Sequence, residues 1–294
     1  MITCLTNCLT KPTGRRNAVA LSRLLCTLAL LVLGLSRSAT AAVSAAGGAG
    51  SAAAAQEGAQ YALIVNGDDS FTHNYNVQMA LDSLPRLGYA AGHTLLLAAG
   101  DPHGEDPAIR RLPATTAGLD RAVALLQREL GPRDVLLVYL TGHGGRSFGR
   151  TFLKLASGLV SAQAFVHRLS PLPFARLILI ADQCYSGGFL DEAARLGRDV
   201  VGVASADSHH EVRCEPFIRP LWQAAISMAA AGGGFVSVEQ AFRAGADSLA
   251  KGLSHDEVDV QAQYVATGSC QGHQNRFGFE RPPRPVTSTG AGAQ

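Results

Sequence analysis

Asp134-Val-Leu-Leu-Val-Tyr-Leu-Thr141 runs straight into Gly142-His143-Gly144-Gly145, and Ala175-Arg-Leu-Ile-Leu-Ile-Ala181 runs into Asp182-Gln-Cys184-Tyr-Ser-Gly-Gly188. Both are short, unbroken apolar runs rich in Val, Ile and Leu. That is the pattern of a strand covered on both faces, and so of a parallel sheet. Ligands of open α/β sheets lie beyond the carboxyl ends of the strands. Here two such ends carry a histidine and a cysteine, the minimum pair for thiolate nucleophilic catalysis.

Upstream, Tyr61–Val65 and His93–Ala98 read as two further strands, separated by helical spacing of apolar residues over Asn74–Leu87 (Val77, Ala80, Leu81, Leu84, Leu87). Asn66-Gly67-Asp68-Asp69 reads as a turn, and Asp101–Pro113, rich in Pro, Gly and charge, as a loop. Thr115-Thr116 can cap a helix that Gly131-Pro132 closes near Leu130. Phe148–Leu155 reads as a small hairpin, and Ser161 caps a short helix to Leu169. A strand over Asp199–Ser205 and helices over Pro220–Ala231 and Val238–Leu253 follow. Alternating strands and helices predict an α/β chain: three layers, αβα, around a mostly parallel sheet.

The first 41 residues have the organisation of a signal peptide. Lys11, Arg15 and Arg16 precede an apolar stretch, Leu24–Leu35, and Ala39-Thr40-Ala41 fits a small-x-small cleavage site; an uncleaved membrane anchor is the competing reading. Residues 42–60, almost all Ala, Gly, Ser and Gln, read as a flexible linker, the domain as 61–270, and 271–294 as a disordered tail. Export is thus expected, to a secreted, periplasmic or endomembrane-lumenal setting, with no membrane association after cleavage. The net charge of +2, without a long basic run, gives no reason to expect a nucleic-acid partner.

Cys4, Cys8 and Cys26 would leave with the leader, so Cys184, Cys214 and Cys270 would meet an oxidising compartment. An odd count suggests one free reactive thiol and one bridge. Cys184 has the motif context, which makes Cys214–Cys270 the candidate disulfide.

A cysteine nucleophile needs a base nearby and donors for the oxyanion. The residues assign His143 as general acid/base and Cys184 as nucleophile, with the amides of Gly144 and Cys184 forming the oxyanion hole. The glycines at 144, 145, 187 and 188 are expected to let backbone approach substrate closely.

Tyr-Leu-Thr-Gly-His143-Gly-Gly and Ile-Ala-Asp-Gln-Cys184-Tyr-Ser-Gly-Gly resemble the two motifs of the caspase-like (clan CD) cysteine peptidases, and within them the legumain family, which includes the glycosylphosphatidylinositol transamidase catalytic subunit. His73-Asn-Tyr-Asn76 resembles that family's Arg-His-x-x-Asn segment after the first strand. Ala204-Ser-Ala-Asp207 with Cys214 resembles its fifth strand and the loop beyond. The resemblance spans roughly 61–270. It implies a caspase-like fold, a Cys184–His143 dyad, a peptide or protein substrate, and no required metal or other cofactor. It also implies substrate-binding roles for His73, for Ser70 in place of the family's histidine-orienting Asn, for Asp182 as an acidic pocket residue, and for Glu211. Thr72 stands where the family has its substrate-binding Arg. The orienter of His143 is open between Ser70 and Asn66. Specificity is open between Asn/Asp and Arg/Lys before the scissile bond, the latter if the Asp182 carboxylate accepts a cation. The same dyad could serve a transpeptidase or transamidase, and a catalytically inactive caspase-like binding module would keep the same fold.

Two other signals are set aside. Gly145-Arg-Ser147-Phe-Gly149 matches G-x-S-x-G, but a nucleophile elbow needs a strand before and a helix after its serine. His209-His210 and His255-Asp-Glu257 lack the spacing of a zinc site.

Overall fold

The computed structural model describes residues 58–100, 106–211, 217–231, 236–252, 262–270 and 276–277. The expected signal peptide, most of the linker and tail, and Cys214 lie outside the described residues.

Among the described residues seven strands form one sheet: β1 (Gln60–Asn66), β2 (Thr94–Ala98), β3 (Arg110–Pro113), β4 (Val135–Thr141), then β8 (Arg176–Asp182), β9 (Asp199–Ala204) and β10 (Gln263–Ala266). Their order is β10-β9-β8-β4-β1-β2-β3, and every pairing is parallel except β10 against β9. From β1 the chain steps outward to β2 and β3, then returns to lay β4 on the other side of β1. That reversal is the topological switch point at which such sheets open a crevice. A small antiparallel sheet of β5 (Gly144–Ser147), β6 (Arg150–Leu155) and β7 (Gly158–Ser161) grows from the end of β4.

The central strands are buried on both faces, and their period of two sorts them into two cores. Leu63, Val65, Leu136, Val138, Leu140, Leu177 and Leu179 face one way. They pack on α2 (Thr116–Glu129), α3 (Ala162–Leu169) and α4 (Gly187–Ala194) through Leu119, Leu126, Phe165 and Phe189. Ile64, Leu137, Tyr139, Ile178 and Ile180 face the other way. They meet α1 (Phe71–Ser83), α5 (Ile218–Ala230) and α6 (Val238–Gly252) through Val77, Leu221, Trp222 and Ala241. The architecture is therefore three-layered, αβα, around a mostly parallel sheet, as the sequence predicts. No helix among the described residues is long and apolar enough to cross a membrane.

Local chemistry explains most element ends. Thr115 caps α2 by accepting from the Gly118 amide at 3.0 Å, and Ser161 caps α3 by accepting from Ala164 at 3.1 Å. Helix α1 stops at Ser83, short of the expected Leu87, because Pro85 cannot continue the ladder; Leu84–Leu87 tightens into a 3₁₀ turn instead. Part of the expected 101–113 loop is strand: Arg110-Arg-Leu-Pro113 pairs parallel to β2 as an edge, with Arg110 held by Glu129. Helix α4 and strand β10 were not expected from the sequence. The 148–155 hairpin becomes a three-stranded sheet that turns at Phe148-Gly149, both at positive φ.

The domain boundaries also move. Ala59 N–H donates to buried Asp134 at 2.7 Å and Gln60 already pairs with Val135, so the fold begins just inside the expected linker. At the other end Phe277, inside the expected tail, is buried. Its ring centroid lies 6.1 Å from that of Trp222, its amide bonds Val236, and its carbonyl accepts from the Tyr89 hydroxyl. Phe277→Ala should cost about 3–5 kcal/mol of unfolding free energy, the range for truncating a buried phenylalanine. Urea denaturation of the full chain checks this; an unchanged midpoint would favour the expected boundary at 270.

Candidate active site

Three parallel strand ends meet at the switch point. In β4 and β8, Thr141 is paired with Asp182, so His143 and Cys184 each stand two residues beyond a matched register position. In β1, Asn66 is paired with Thr141, which brings Asp68 to the same edge. Glycine permits the close approach. Gly142 turns at φ 134°, and a Cβ there would lie 3.2 Å from Cα of Gly67, so the loops after β1 and β4 are in backbone contact. A Cβ on Gly144 would strike the Cys184 carbonyl and come within 2.7 Å of Cγ of Gln183. The backbone flanking the histidine thus lies directly against the peptide group of Cys184.

His143 is exposed, and its Nε2 lies 2.5 Å from Oδ2 of Asp68. A carboxylate at Nε2 favours the tautomer with the proton on that atom and the lone pair of the neutral ring on Nδ1. Asp68 is itself held: its Oδ1 accepts from the Ser70 amide at 2.8 Å, and its own amide donates to Oδ1 of Asn66 at 3.2 Å. The orienter is therefore neither Ser70 nor Asn66, the two residues the sequence suggested. Both instead support Asp68. Nothing local in Asn66-Gly-Asp-Asp69 marks this role, because it depends on β1 lying beside β4, which is a tertiary fact.

His73, on the first turn of α1, is buried beneath His143, with ring centroids 5.6 Å apart and ring planes nearly perpendicular. Its Nδ1 pairs with the Thr141 hydroxyl at 2.9 Å. That hydroxyl donates onward to Oδ2 of Asp182 at 3.4 Å.

Asp182 is fully buried. Its carboxyl also accepts from Asn76 at 3.1 Å, from the Tyr139 hydroxyl at 3.3 Å and from Ser205 at 2.6 Å. A group with no exposed surface and donors from α1, β4 and the end of β9 does not present itself to a substrate cation. It ties α1, β4 and the end of β9 together beneath the site. Arg219 of α5 is half-buried, stacks on Tyr75 at 4.6 Å and donates to Oδ1 of Asn76 at 3.2 Å. This places a guanidinium beside the helix that carries His73, although position 72 is threonine.

Beyond Cys184 the chain turns at Tyr185 with φ 60°, a costly conformation for an aromatic residue. The amides of Tyr185, Ser186, Gly187 and Gly188 donate to the carbonyls of His210, Gln183, Ala206 and Tyr185. These four amides are therefore committed to the backbone. Gly187 and Gly188 do not face substrate as expected. They begin α4, where added Cβ atoms would lie 2.7 Å from the Asp207 backbone and from Cβ of Thr151. Glu211 reaches the rim, accepting from the Tyr185 hydroxyl at 3.1 Å, and burial followed by that carboxylate raises the Tyr185 phenol's pKa. Gln183 is buried with neither amide atom bonded among the described residues. Cys270 is a buried free thiol whose pKa burial raises; its expected partner, Cys214, lies outside the described residues.

No family model and no curated protein matches the chain. Among solved structures, the crystal structure of protein GSU0716 from Geobacter sulfurreducens is similar over 76% of this chain and 100% of that one, with a TM-score of 0.51 and 12% identity. At that identity the likeness speaks for the three-layer fold alone.

Proposed function

We propose that the chain is an exported, legumain-like cysteine endopeptidase. The observation that carries this reading is the matched register of β4 and β8, with Gly144 packed against the Cys184 peptide group. Nδ1 of His143, its opposite nitrogen held by Asp68, takes the thiol proton. The Cys184 thiolate adds to the peptide carbonyl, and the amides of Gly144 and Cys184 hold the oxyanion. His143 then protonates the leaving amine, and water hydrolyses the acyl-enzyme. Export follows from the leader's organisation, and the partner is a peptide or protein substrate. Of the two specificities, cleavage after Asn or Asp is favoured: the Asp182 carboxyl is enclosed, whereas Arg219 offers a partly exposed cation beside α1.

Three variants test the reading by the rate of Cys184 alkylation with iodoacetamide at neutral pH. His143→Ala should slow it roughly 100-fold, the lower end of what a positioned acid–base group supplies. Equal rates in wild type and variant would leave an inert module in place of an enzyme. Asp68→Asn should keep the fold and slow alkylation on the order of tenfold, since only the orientation of the base is lost. Gly144→Ala should both lower stability by about 1–3 kcal/mol, the cost of forcing a methyl into filled space, and depress the alkylation rate. Full stability and full reactivity in that variant would break the claimed contact with Cys184. A peptide-library cleavage profile reads specificity directly, and preference for Arg or Lys would return Asp182 to the pocket.

A further inference from the structure

Asp68, His73 and His143 each offer a ligand atom, and the three atoms lie within 4.8 Å of one another. Asp68 and His73 lie close in sequence, in the loop after β1 and the first turn of α1, and the sheet register brings His143 to them from the loop after β4. From this geometry we infer a binding site for a borderline-soft divalent transition-metal ion, Zn²⁺ above all, whose occupation takes His143 out of proton transfer.

Three features support it. The donors are right for zinc: two imidazoles and one carboxylate suit a first-row transition ion and not Mg²⁺ or Ca²⁺, which take oxygen. The buried imidazole is presented correctly. The Asp182 carboxyl takes the one hydrogen of the Thr141 hydroxyl, so that oxygen accepts from Nδ1–H of His73. In the neutral ring the lone pair then sits on Nε2, the nitrogen from which His73 would ligate. A carboxyl–hydroxyl–imidazole chain of this kind is the outer-sphere support that metal-binding histidines use. The donors already stand near metal-binding spacing. Tetrahedral ligands about 2.0–2.1 Å from zinc stand roughly 3.3 Å apart. The three atoms lie within 4.8 Å of one another, with Asp68 and His143 at 2.5 Å, and His143 is 62% exposed, so its ring has room to adjust. When zinc takes Nε2 of His143, the proton leaves that atom and Nδ1 takes one up from solvent, so the ring stays neutral with its Nδ1 lone pair spent, and the fourth position takes water.

The site stands on the three donors alone; its inhibitory consequence rests on the peptidase reading. Two arms keep these apart. In the first, ZnCl₂ is titrated calorimetrically into the full chain carrying Cys184→Ala, which removes the thiol as a ligand. One-site binding is expected, weakened at least about tenfold by His73→Gln and by Asp68→Asn, since even an outer-sphere partner contributes that much. Circular dichroism without metal confirms that each variant is folded. MgCl₂ should give no binding, and His210→Gln should bind zinc as before. Affinity unchanged in both donor variants, or lost in His210→Gln, overturns the site. In the second arm, ZnCl₂ should slow alkylation of Cys184 in the otherwise wild-type chain, with the midpoint shifted at least about tenfold by His73→Gln, in step with the lost ligand. Slowing at the same midpoint in that variant would mean that the thiol binds zinc unaided, and would overturn the regulatory claim. If zinc binds as described and Cys184 proves indifferent to His143→Ala, the ion site survives and the peptidase reading falls.

Discussion

The Asp182 carboxyl is the constraint on which this molecule rests. It lies at the end of β8 with no exposed surface and gathers donors from Asn76 on α1, Tyr139 and Thr141 on β4, and Ser205 after β9. A buried carboxyl without such donors is strongly unfavourable, so these bonds must form together or not at all. Forming them holds β4, β8 and β9 in one register and seats α1 across their ends. Because side chains alternate faces, a slip of one residue between β4 and β8 would turn every apolar residue of a strand to the wrong layer. It would also offset the two strand ends that carry His143 and Cys184. Core and site therefore depend on the same pairing.

Much of this was readable in the chain. β4 and β8 are long Val/Ile/Leu runs whose burial on both faces leaves little choice of structure, and Thr115 and Ser161 announce the helices that they cap. What escaped has physical causes. Arg110-Arg-Leu-Pro113 has almost no apolar content because it covers an edge, where only one side needs a partner. Helix α4 is eight residues long and opens on two glycines, which sequence reasoning gives to a loop; packing against Thr151 and the Asp207 backbone is what demands them. Asp68 was beyond reach altogether, since its meaning is set by which strand lies next to β1.

The site also shows how far a motif can carry a role. His143 and Cys184 were identified by residue type and by glycine context, and the fold brings their strand ends together. Asp182 was identified by its distance from the cysteine, but that distance says nothing about which way a strand-end side chain turns. It turns inward. Arg219 sets a guanidinium beside α1, reached across 143 residues of chain through Asn76. A charge brought to a helix by a distant element leaves no trace in a local pattern.

The β3 margin has a colloidal consequence. A sheet ending in bare, flat, apolar strand is a template on which another chain can extend it. Here that margin carries Arg110 and Arg111 with Leu112 only half-buried, and it finishes in Pro113, which has no N–H to give. Two guanidinium groups, one of them anchored to Glu129, make stacking of like copies along this side electrostatically unfavourable. Growth of the sheet into fibrous or edge-to-edge aggregates is thereby discouraged at this margin by four residues that contribute little to the core.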